Sequence, residues 1–481
     1  MLTTAASWLQ DEEDDMKGAT GRGPAYRRRL AGKIVSVVGL AKSGVAAARL
    51  IRRVGGTVLA SDAADRAALS AEALRLERDG CALWTSGHPD EAFADAELVV
   101  VSPGVPLTLP ALVRVRARGV PIVGELELAW RAMEAEVIAI TGTNGKTTTT
   151  ALTGELLRAQ VRPVLVGGNI GTPLSEQALD FPADGIVVAE ASSFQLESTA
   201  LFRPRVAAVL NITPDHLDRH GSLERYVDAK ARILANQTEA DCAVLNADDP
   251  GAAALAARVR GRLLWFSRLR RDIVGAFIDE GWIVARLNGH VERICPVTDL
   301  ALRGAHNVEN VLAATACVLW TGMAPEAIRR GIAAFRGVAH RIEHVRADAG
   351  VAYYNDSKGT NVDSTIKALE SFTEPVVLIA GGKGKGQDFA PLTRAARGRV
   401  RHAVLIGVDR AQLRGPLTLA GAVVEDADSM EAAVLAAHAA ARPGDVVLLS
   451  PACASFDMFD NYEHRGDVFM DLVRELAGSH A

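Results

Sequence analysis

The stretch that decides the fold is residues 140–149, which read ITGTNGKTTT. It follows an apolar run over residues 137–140 and precedes a helical pattern. A strand, a glycine loop, a Lys-Thr pair and a helix together cradle nucleotide phosphates, because glycines let backbone N–H groups approach phosphate oxygens and the helix dipole favours negative charge. Lys146 is placed to reach the β- and γ-phosphates, and the Thr147 hydroxyl to bind Mg²⁺. The loop therefore predicts ATP binding.

This loop is shorter than the standard phosphate loop, because Ile140 stands five positions before Gly145, where the usual pattern has another glycine. A tight glycine turn with no ligand is the alternative interpretation. A strand followed by TGTNGKTT argues against that alternative. The residues of the loop that are predicted to contact ATP are Gly142, Thr143, Asn144, Gly145, Lys146, Thr147 and Thr148.

The composition is that of an ordinary globular chain, with 481 residues, 49% hydrophobic and 23% charged. That length suggests about three domains. A net charge of −5 without a basic block argues against a nucleic-acid partner. No uninterrupted apolar stretch is long enough to span a bilayer, so we expect no membrane partner. Five scattered cysteines without metal or disulfide spacing predict reduced thiols in a cytoplasmic protein.

The first thirty residues are polar and lack the apolar core of a secretion signal. They carry an acidic cluster over residues 11–15 and a basic cluster over residues 27–29. We therefore expect a flexible tail over residues 1–30. A translation start at Met16 is also compatible with the sequence.

Strands and helices alternate almost throughout the chain, which predicts an α/β fold with mostly parallel sheets. We expect three domains after the tail: a Rossmann-like domain over residues 31–124, a central phosphate-loop domain over 125–338, and a second Rossmann-like domain over 339–481. Besides the strand before the phosphate loop, the predicted strands cover residues 33–38, 57–60, 97–101, 185–189, 206–210, 242–245, 351–354, 376–380, 403–406 and 446–449.

The first of these domains carries a weak nucleotide signal. Gly39-x-Ala41-x-x-Gly44 resembles a dinucleotide fingerprint whose second glycine is alanine, and Asp62 stands where a ribose-binding acid would. NAD binding and a cofactor-free fold explain it equally well. The segment Ser-Pro-Gly at 102–104 ends a neighbouring strand, where open α/β sheets bind ligands, although a plain turn is the alternative. The predicted contacts in this domain are Ala41, Lys42, Ser43, Asp62, Ser102, Pro103 and Gly104.

In the central domain, Glu190 follows the strand at 185–189, where a carboxylate near a phosphate loop can hold Mg²⁺. A carboxylate favoured by a helix N-terminus is the alternative. Asp215, His216 and Asp218 follow the strand at 206–210 and suggest a polar site, since a neutral imidazole can bind a metal. A lone histidine is more often structural. Lys230, between two alanines of the next helix, reads by itself as a solvated lysine.

Polar clusters continue towards the C-terminus. Asn307 and Asn310 lie one helical turn apart, which suits amide hydrogen bonds to a nucleotide, although N-capping by Asn307 is an alternative. The segments at 339–343 and 354–361 supply His, Arg, Asp, Ser, Lys and Thr, which can contact ribose, phosphate and a carboxylate. The lysine loop at 381–388 is open and positive, which favours a small acidic substrate, with a solvated turn as the alternative.

Together these segments resemble the ATP-dependent Mur ligases of peptidoglycan synthesis, which are related to the folylpolyglutamate synthases. The resemblance runs from about Lys33 to the end of the chain. The motifs VVGLAKSG, VSPG, GGNIG, EASSFQLE, NDSKGTN and SPACAS are similar to those of the members that add D-glutamate to UDP-N-acetylmuramoyl-L-alanine. The Asp-Asn-Pro-Arg motif of the diaminopimelate-adding members is absent from the sequence.

The resemblance implies a monomeric enzyme that activates a carboxylate as an acyl phosphate. It implies ATP, two Mg²⁺ ions and a carbamate on Lys230, with Thr147, Glu190 and His216 as further metal ligands. It also implies that the first domain binds UDP rather than NAD. The catalytic residues implied are Lys146, His216, Lys230 and Lys358. Further nucleotide contacts implied are Asn307, Asn310, His340, Arg341 and Asp356. The implied contacts to the muramoyl substrate are Asn169 and Ser192, and those to D-glutamate are Lys358, Thr360, Lys385, Ser455 and Tyr462.

Three other hypotheses stay open on the sequence. A related ligase would add another amino acid or extend folate. An NAD-dependent oxidoreductase would explain the first domain but would leave the Lys146 loop without a purpose. A non-catalytic nucleotide-binding module would need neither substrate.

Overall fold

Two compact units make up the chain in a computed structural model that describes residues 21–160, 162–302, 304–384 and 386–476, without the side chain of Asp218. The first unit contains the chain up to Asp299 together with Glu309–Ile332, and the second contains Leu300–Val308 together with Ala333 onwards. Three sheets provide the framework: two lie in the first unit and one in the second.

The first sheet has five parallel strands in the order β3-β2-β1-β4-β5, which is Rossmann-like as expected. Its central strand is a run of Ile, Val and Ser that is almost wholly buried, since helices cover a parallel sheet on both faces. The strands and helices up to the phosphate loop are β1 (Ile34–Val38), β2 (Thr57–Ser61), β3 (Ala82–Trp84), β4 (Leu98–Val101), β5 (Ile122–Gly124), α1 (Pro24–Leu30), α2 (Lys42–Arg53), α3 (Ala71–Arg78), α4 (Pro110–Ala117) and α5 (Glu125–Ala132).

The second sheet has nine strands in the order β14-β13-β12-β11-β10-β9-β6-β8-β7. In its parallel part, β6, the strand that leads into the phosphate loop, lies between β8, which ends at Glu190, and β9, which comes shortly before Asn211. The strands are β6 (Glu136–Thr141), β7 (Val164–Gly168), β8 (Ile186–Glu190), β9 (Val206–Val209), β10 (Cys242–Asn246), β11 (Arg262–Ser267), β12 (Gly275–Asp279), β13 (Trp282–Leu287) and β14 (His290–Pro296). The helices are α6 (Lys146–Arg158), α7 (Ser193–Leu196), α8 (Leu217–His220), α9 (Leu223–Ala231), α10 (Pro250–Ala254), α11 (Ala305–Leu319) and α12 (Pro325–Ala334).

The third sheet has six strands in the order β15-β16-β20-β17-β18-β19, all parallel except the edge strand β15. Buried Val, Leu and Ile side chains on its two faces pack against helices, as in the first sheet. The strands are β15 (Glu343–Asp348), β16 (Val351–Asn355), β17 (Val376–Gly381), β18 (Val400–Ile406), β19 (Val423–Asp426) and β20 (Val446–Leu449). The helices are α13 (Val362–Glu370), α14 (Pro391–Ala396), α15 (Arg410–Leu419), α16 (Met430–Ala440) and α17 (Tyr462–Glu475).

Every strand predicted from the sequence is present, with ends that differ by a few residues. The predicted alternation of strands and helices fails between β15 and β16, which pair antiparallel, and over a longer stretch of the second sheet. Between Arg262 and Pro296 four strands, β11 to β14, follow one another without an intervening helix, and β12, β13 and β14 pair antiparallel. Antiparallel neighbours need only short turns, so no crossover helix is required between β12, β13 and β14. β11 and β12 pair parallel, although no helix connects them.

The predicted flexible tail is wrong for its last part, because residues 24–30 form the helix α1, in which Tyr26 and Leu30 are buried. The guanidinium of Arg27 donates to the backbone oxygens of Ala132 and Ala178, which ties this segment to the rest of the unit. Residues 1–20 lie outside the described part of the chain. In that described part, no helix combines the length and the apolar character needed to cross a bilayer.

The glycine at the start of α2, Gly44, lies tightly against the loops that follow β1 and β4. A Cβ atom on Gly44 would lie 1.8 Å from the backbone oxygen of Gly39 and 2.8 Å from Oγ of Ser102. Both of these neighbours belong to the loops that follow β1 and β4. The third glycine of a dinucleotide-type fingerprint has this packing role, so the motif is explained without any cofactor.

Gly44→Ala should therefore lower the free energy of unfolding by about 2 kcal/mol or more, because the backbone must shift to admit the methyl group. Urea denaturation would measure the change. The matched control is Gly415→Ala in α15, where a Cβ atom meets nothing within 4 Å. That control should be neutral or slightly stabilising, since alanine favours helix. Equal effects of the two substitutions would contradict the steric argument.

Candidate active site

The phosphate loop connects β6 to α6, as the sequence predicts. The Lys146 ammonium bends back over the loop and donates to the backbone oxygens of Gly142 and Thr143, both at 2.9 Å. Thr147 and Thr148 lie in the first turn of α6 and are mostly buried. The lysine thus lies against the glycine loop on which it is expected to bind phosphate, at the N-terminus of a helix whose dipole favours anions.

The segment after β9 holds this loop in place. The side chain of Asn211 pairs with the backbone of Asn144 in both directions: its Oδ1 accepts from the Asn144 N–H at 2.8 Å, and its Nδ2 donates to the Asn144 oxygen at 3.2 Å. The Thr143 hydroxyl donates to the Thr213 oxygen and accepts from the Thr213 N–H. From the sequence, Asp215 and His216 of this segment were predicted as site residues, but Asn211 was not. Asn211 is the first residue after the predicted strand at 206–210.

Lys230 lies in the same cluster and is 1% exposed, so its interpretation as a solvated lysine is wrong. Its ammonium donates to the Gly142 oxygen at 2.7 Å and lies 4.6 Å from the centre of the Tyr226 ring. Burial, reinforced by the nearby charge of Lys146, lowers the pKa of Lys230 well below its ordinary value. Tyr226 was also missed, although it precedes Lys230 by one helical turn and shares its face.

Glu190 ends β8 and is 2% exposed. One carboxylate oxygen accepts from Nδ2 of Asn169 at 2.7 Å, whereas the other, Oε2, is buried without a hydrogen-bond partner in the described structure. A buried carboxylate oxygen with no donor costs free energy, so it points to a cationic or hydrogen-bonding partner. Glu190 does not lie in the first turn of α7, which has Ser192 as its N-cap, so the alternative of a carboxylate at the helix N-terminus is not favoured.

His216 adopts a left-handed backbone conformation (φ 51°) at the start of α8, and its side chain is half exposed. Its ring lies beside the Phe194 ring, with centroids 4.9 Å apart, and its Nε2 is 3.5 Å from Oδ2 of Asp215. Among the residues that the structure describes, no group of three or more His, Cys, Asp or Glu side chains is arranged to hold a metal ion. The metal roles of His216, Glu190 and Thr147 therefore stay predictions.

In the first domain, the predicted contacts line the loops that follow β1, β2 and β4. Asp62 accepts from the N–H groups of Leu40 and Ala64, one on each carboxylate oxygen, so it orders the loop after β1. The Ser102 hydroxyl donates to the Gly39 oxygen at 2.7 Å. Lys42 and Gly104 are exposed. The carboxyl ends of three neighbouring strands therefore meet here, where open α/β sheets bind ligands, while ribose binding by Asp62 stays a prediction.

In the second unit, Asp356 follows β16 and is almost fully buried. It accepts from the Ser450 hydroxyl at 2.7 Å and from the Ile342 N–H at 3.3 Å. Burial raises the pKa of Asp356 from its ordinary value of 3.8 to about 7. The Ser450 hydrogen bond and the charge of Arg341 lower this pKa and so oppose part of the effect of burial. Ser450, missed by sequence reasoning, belongs to the quoted SPACAS segment.

Other predicted residues of this unit lie on the segments around 340, 358–360, 455 and 462. Nδ1 of His340 lies 3.0 Å from Nδ2 of Asn355, and its backbone oxygen accepts from the Lys358 N–H. The Lys358 ammonium lies 5.5 Å from the centre of the Tyr462 ring. Ser455 is buried, and Thr360 is half-buried.

The two asparagines that were predicted to contact the nucleotide belong to different units: Asn307 to the second and Asn310 to the first. In the first unit, Oδ1 of Asn310 accepts from the Thr149 hydroxyl at 3.2 Å. Since α11 begins at Ala305, Asn307 lies inside the helix and the N-cap alternative is wrong. Lys385 lies outside the described residues.

The raised pKa of Asp356 has a consequence for stability. Between about pH 4 and pH 7 the folded protein keeps a proton that the unfolded chain has lost, so the free energy of unfolding falls as the pH rises through this window. Asp356→Asn, which stays neutral, should remove up to about 4 kcal/mol of that fall. Urea unfolding from pH 4 to 7.5 would measure it. The exposed Asp363→Asn in α13 is the control; identical slopes for Asp356→Asn and wild type would contradict the prediction.

Three family models match successive parts of the chain. They describe a Mur ligase MurD-like N-terminal domain over residues 33–124, a Mur ligase middle domain over residues 140–318, and a Mur ligase glutamate ligase domain over residues 340–453. These ranges follow the three sheets of the structure, and the phosphate loop lies at the start of the middle match.

Relatives cover almost the whole chain. A UDP-N-acetylmuramoylalanine–D-glutamate ligase of Acidobacterium capsulatum is 50% identical over 454 residues, which is 94% of this chain and 98% of that protein. One of Koribacter versatilis is 48% identical over 93% of this chain and 98% of that protein. Among solved structures, the UDP-N-acetylmuramate-alanine ligase MurC of Thermotoga maritima is 22% identical, with a TM-score of 0.58, over 92% of this chain and 99% of that one, which shows the same fold. This chain therefore belongs to the Mur ligase family of ATP-dependent ligases.

Proposed function

We propose that this chain uses ATP to join D-glutamate to the L-alanyl carboxyl group of UDP-N-acetylmuramoyl-L-alanine, a step of peptidoglycan synthesis. The observation that carries the proposal is the 50% identity, over 94% of the chain, to a relative that bears this activity in its name. A related ligase that adds another amino acid is not favoured by such identity. An NAD-dependent oxidoreductase is not favoured either, because the first domain matches the MurD-like N-terminal model.

The chemistry needs activation, since a carboxylate and an ammonium do not condense in water. The L-alanyl carboxylate attacks the γ-phosphorus of ATP, ADP leaves, and an acyl phosphate forms. The neutral amine of D-glutamate then attacks the acyl carbon; the C–O bond to phosphate breaks, phosphate departs with the electron pair, and the amine loses a proton. Lys146, held against the phosphate loop, would balance the charge that develops on the transferred phosphoryl group.

The other predicted residues divide by domain in this proposal. UDP binds at the loops of the first sheet, and the muramoyl part reaches Asn169 and Ser192. D-glutamate binds in the second unit at Lys358, Thr360, Lys385, Ser455 and Tyr462. In the second unit Asn307, His340, Arg341 and Asp356 are the proposed nucleotide contacts, and Asn310 is one in the first unit. We further propose that the enzyme works in the cytoplasm, where ATP and nucleotide-linked sugars are available; the monomeric state stays a prediction.

Magnesium ions fit the residues around the phosphate loop. The buried Oε2 of Glu190 has no hydrogen-bond partner in the described structure, so a cation there would satisfy it. Thr147, Glu190, His216 and a carbamate on Lys230 would hold two ions. Mg²⁺ at this place would neutralise negative charge on the ATP phosphates. The carbamate would add a second anionic oxygen ligand beside the Glu190 carboxylate.

Lys230 has the environment that carbamate formation needs. A neutral amine attacks carbon dioxide, an N–C bond forms, and the released proton leaves an anionic carbamate. The lowered pKa of Lys230 supplies the neutral amine, because burial and the charge of Lys146 both disfavour its ammonium form. The product would replace a positive charge by a negative one beside Glu190 and the phosphate loop.

The function is tested by phosphate release from ATP in the presence of UDP-N-acetylmuramoyl-L-alanine and one amino acid at a time. D-glutamate should support turnover, whereas L-glutamate, L-lysine and diaminopimelate should not. Turnover with one of the others and none with D-glutamate would overturn the proposal.

Lys146→Ala should lower kcat by about a hundredfold or more, because a charge that stabilises the transferred phosphoryl group is lost. The same phosphate-release assay measures it. Lys367→Ala is the matched control, since Lys367 is a surface lysine that pairs with Asp363 in α13, and it should leave kcat unchanged. Unchanged kcat in Lys146→Ala would remove the catalytic role of the loop.

The carbamate is tested by ¹³C NMR of the protein in ¹³C-bicarbonate. Wild type should show a carbamate carbonyl resonance that Lys230→Arg lacks, because a guanidinium stays protonated and does not add carbon dioxide. Lys230→Arg should also bind Mg²⁺·ATP more weakly, by about tenfold, since a positive charge replaces the negative one beside the metal. The same spectrum for both proteins would exclude a carbamate at this lysine.

A further inference from the structure

The second unit contains a fully buried arginine that neither the sequence motifs nor the proposed chemistry uses. Arg465 lies in the first turn of α17 and is 1% exposed, which makes it one of the largest fully buried side chains. A guanidinium is buried only where its N–H groups are satisfied, because its removal from water is otherwise costly. Its partners therefore indicate what it is for.

Arg465 makes three hydrogen bonds, all to neutral oxygens. Its Nε donates to the Ser357 hydroxyl at 3.0 Å, its Nη2 to the Ser357 backbone oxygen at 2.8 Å, and its Nη1 to the Cys453 backbone oxygen at 3.1 Å. Within the described residues, no carboxylate forms a salt bridge with it. The planar guanidinium thus hydrogen-bonds to two backbone segments at the same time and fixes the distance between them. The single ammonium of a lysine does not have this geometry.

These two segments leave neighbouring parallel strands. Ser357 follows β16 and Cys453 follows β20, and the ends of these strands pair as Asn355 with Leu449. The Ser357 hydroxyl also donates to the backbone oxygen of Tyr462 at 2.8 Å, so the start of α17 joins the same network. Three separate stretches of chain therefore meet at one guanidinium.

Each stretch carries a residue proposed to bind D-glutamate. Lys358 follows Ser357 directly, Ser455 comes two residues after Cys453, and Tyr462 begins α17. Loops without a regular hydrogen-bond ladder move unless they are tied down. The loops after β16 and β20 are joined by the bonds from Ala452 N–H to the Gly359 oxygen and from Ser450 to Asp356, and Arg465 adds the connection of both loops to the start of α17.

The residue after Arg465 shows how closely the helix approaches this cluster. A Cβ atom on Gly466 would lie 2.2 Å from Nδ1 of His340 and 3.0 Å from Nδ2 of Asn355. The Arg465-Gly466 pair thus brings the start of α17 against the loops with no intervening side chain, and the guanidinium then fixes it there.

We propose that Arg465 is the positioning residue of the D-glutamate site, because it sets the spacing between the loop at Lys358, the loop at Ser455 and the start of α17 at Tyr462. The inference rests on the proposed function. It assigns no contact between Arg465 and the substrate: the residue acts through Ser357 and the Cys453 backbone.

The experiment uses Arg465→Lys and Ser357→Ala, with kinetics measured at saturating ATP. Lysine keeps the charge but loses the fork, and alanine removes the hydroxyl that links Arg465 to Tyr462. Both should raise KM for D-glutamate by about tenfold, with KM for UDP-N-acetylmuramoyl-L-alanine changed less than about twofold, since that substrate binds through other residues. The double variant should raise KM for D-glutamate by less than the product of the two single increases, because both substitutions break the same hydrogen-bond network.

The matched control is Arg474→Lys, on the exposed face of the same helix, where the side chain pairs with Asp471. It should leave all kinetic constants unchanged. If Arg465→Lys does not fold, as judged by thermal unfolding, Ser357→Ala carries the same test by itself. Equal changes in both KM values, or an unchanged KM for D-glutamate in folded variants, would overturn the inference. Failure of the wild type to use D-glutamate would instead refute the proposed function.

Discussion

One backbone oxygen of the phosphate loop accepts hydrogen bonds from two lysines. The carbonyl of Gly142 accepts from the ammonium groups of both Lys146 and Lys230, which come from different helices. Two ammonium groups on one acceptor repel each other, and this repulsion adds to burial, the main cause of the lowered pKa of Lys230. The arrangement is more favourable when one lysine gives up its charge or a further anion joins the nearby carboxylates of Asp215 and Glu190. ATP phosphates and a carbamate are two anionic groups that would satisfy it.

The second unit contains a buried acidic group and a buried basic group, whereas the phosphate loop has two neighbouring lysines. A carboxyl group, Asp356, and a guanidinium, Arg465, lie on either side of Ser357 without forming a salt bridge in the described structure. Burial moves the pKa of Asp356 up to about 7 and that of Arg465 down to about 10, so each is biased towards its neutral form. Hydrogen bonds from Ser450 to Asp356, and from Arg465 to backbone oxygens, satisfy these groups instead. Polar side chains thereby hold the loops after β16 and β20 in defined positions.

Much of the fold could be predicted from the sequence because apolar runs and glycine turns are local signals. The strand before the phosphate loop, the helix after it, and the strand that ends at Glu190 follow from patterns that span ten residues or fewer. The four consecutive strands from Arg262 to Pro296 were missed, because no helix separates them and the expected alternation of strands and helices does not mark them. The helix at residues 24–30 was missed because its stabilising contacts come from residues more than a hundred positions away.

The sequence by itself determined the phosphate loop, the three sheets and the family, because these rest on contiguous motifs. Only the tertiary structure decided which charged side chains are buried. Lys230 looks like a surface lysine between two alanines, yet it lies inside the protein against Gly142. Arg465 carries no motif and becomes informative only through Ser357 and Cys453, which are 108 and 12 positions away. Burial and hydrogen bonding depend on which strands become neighbours, and no local pattern encodes that.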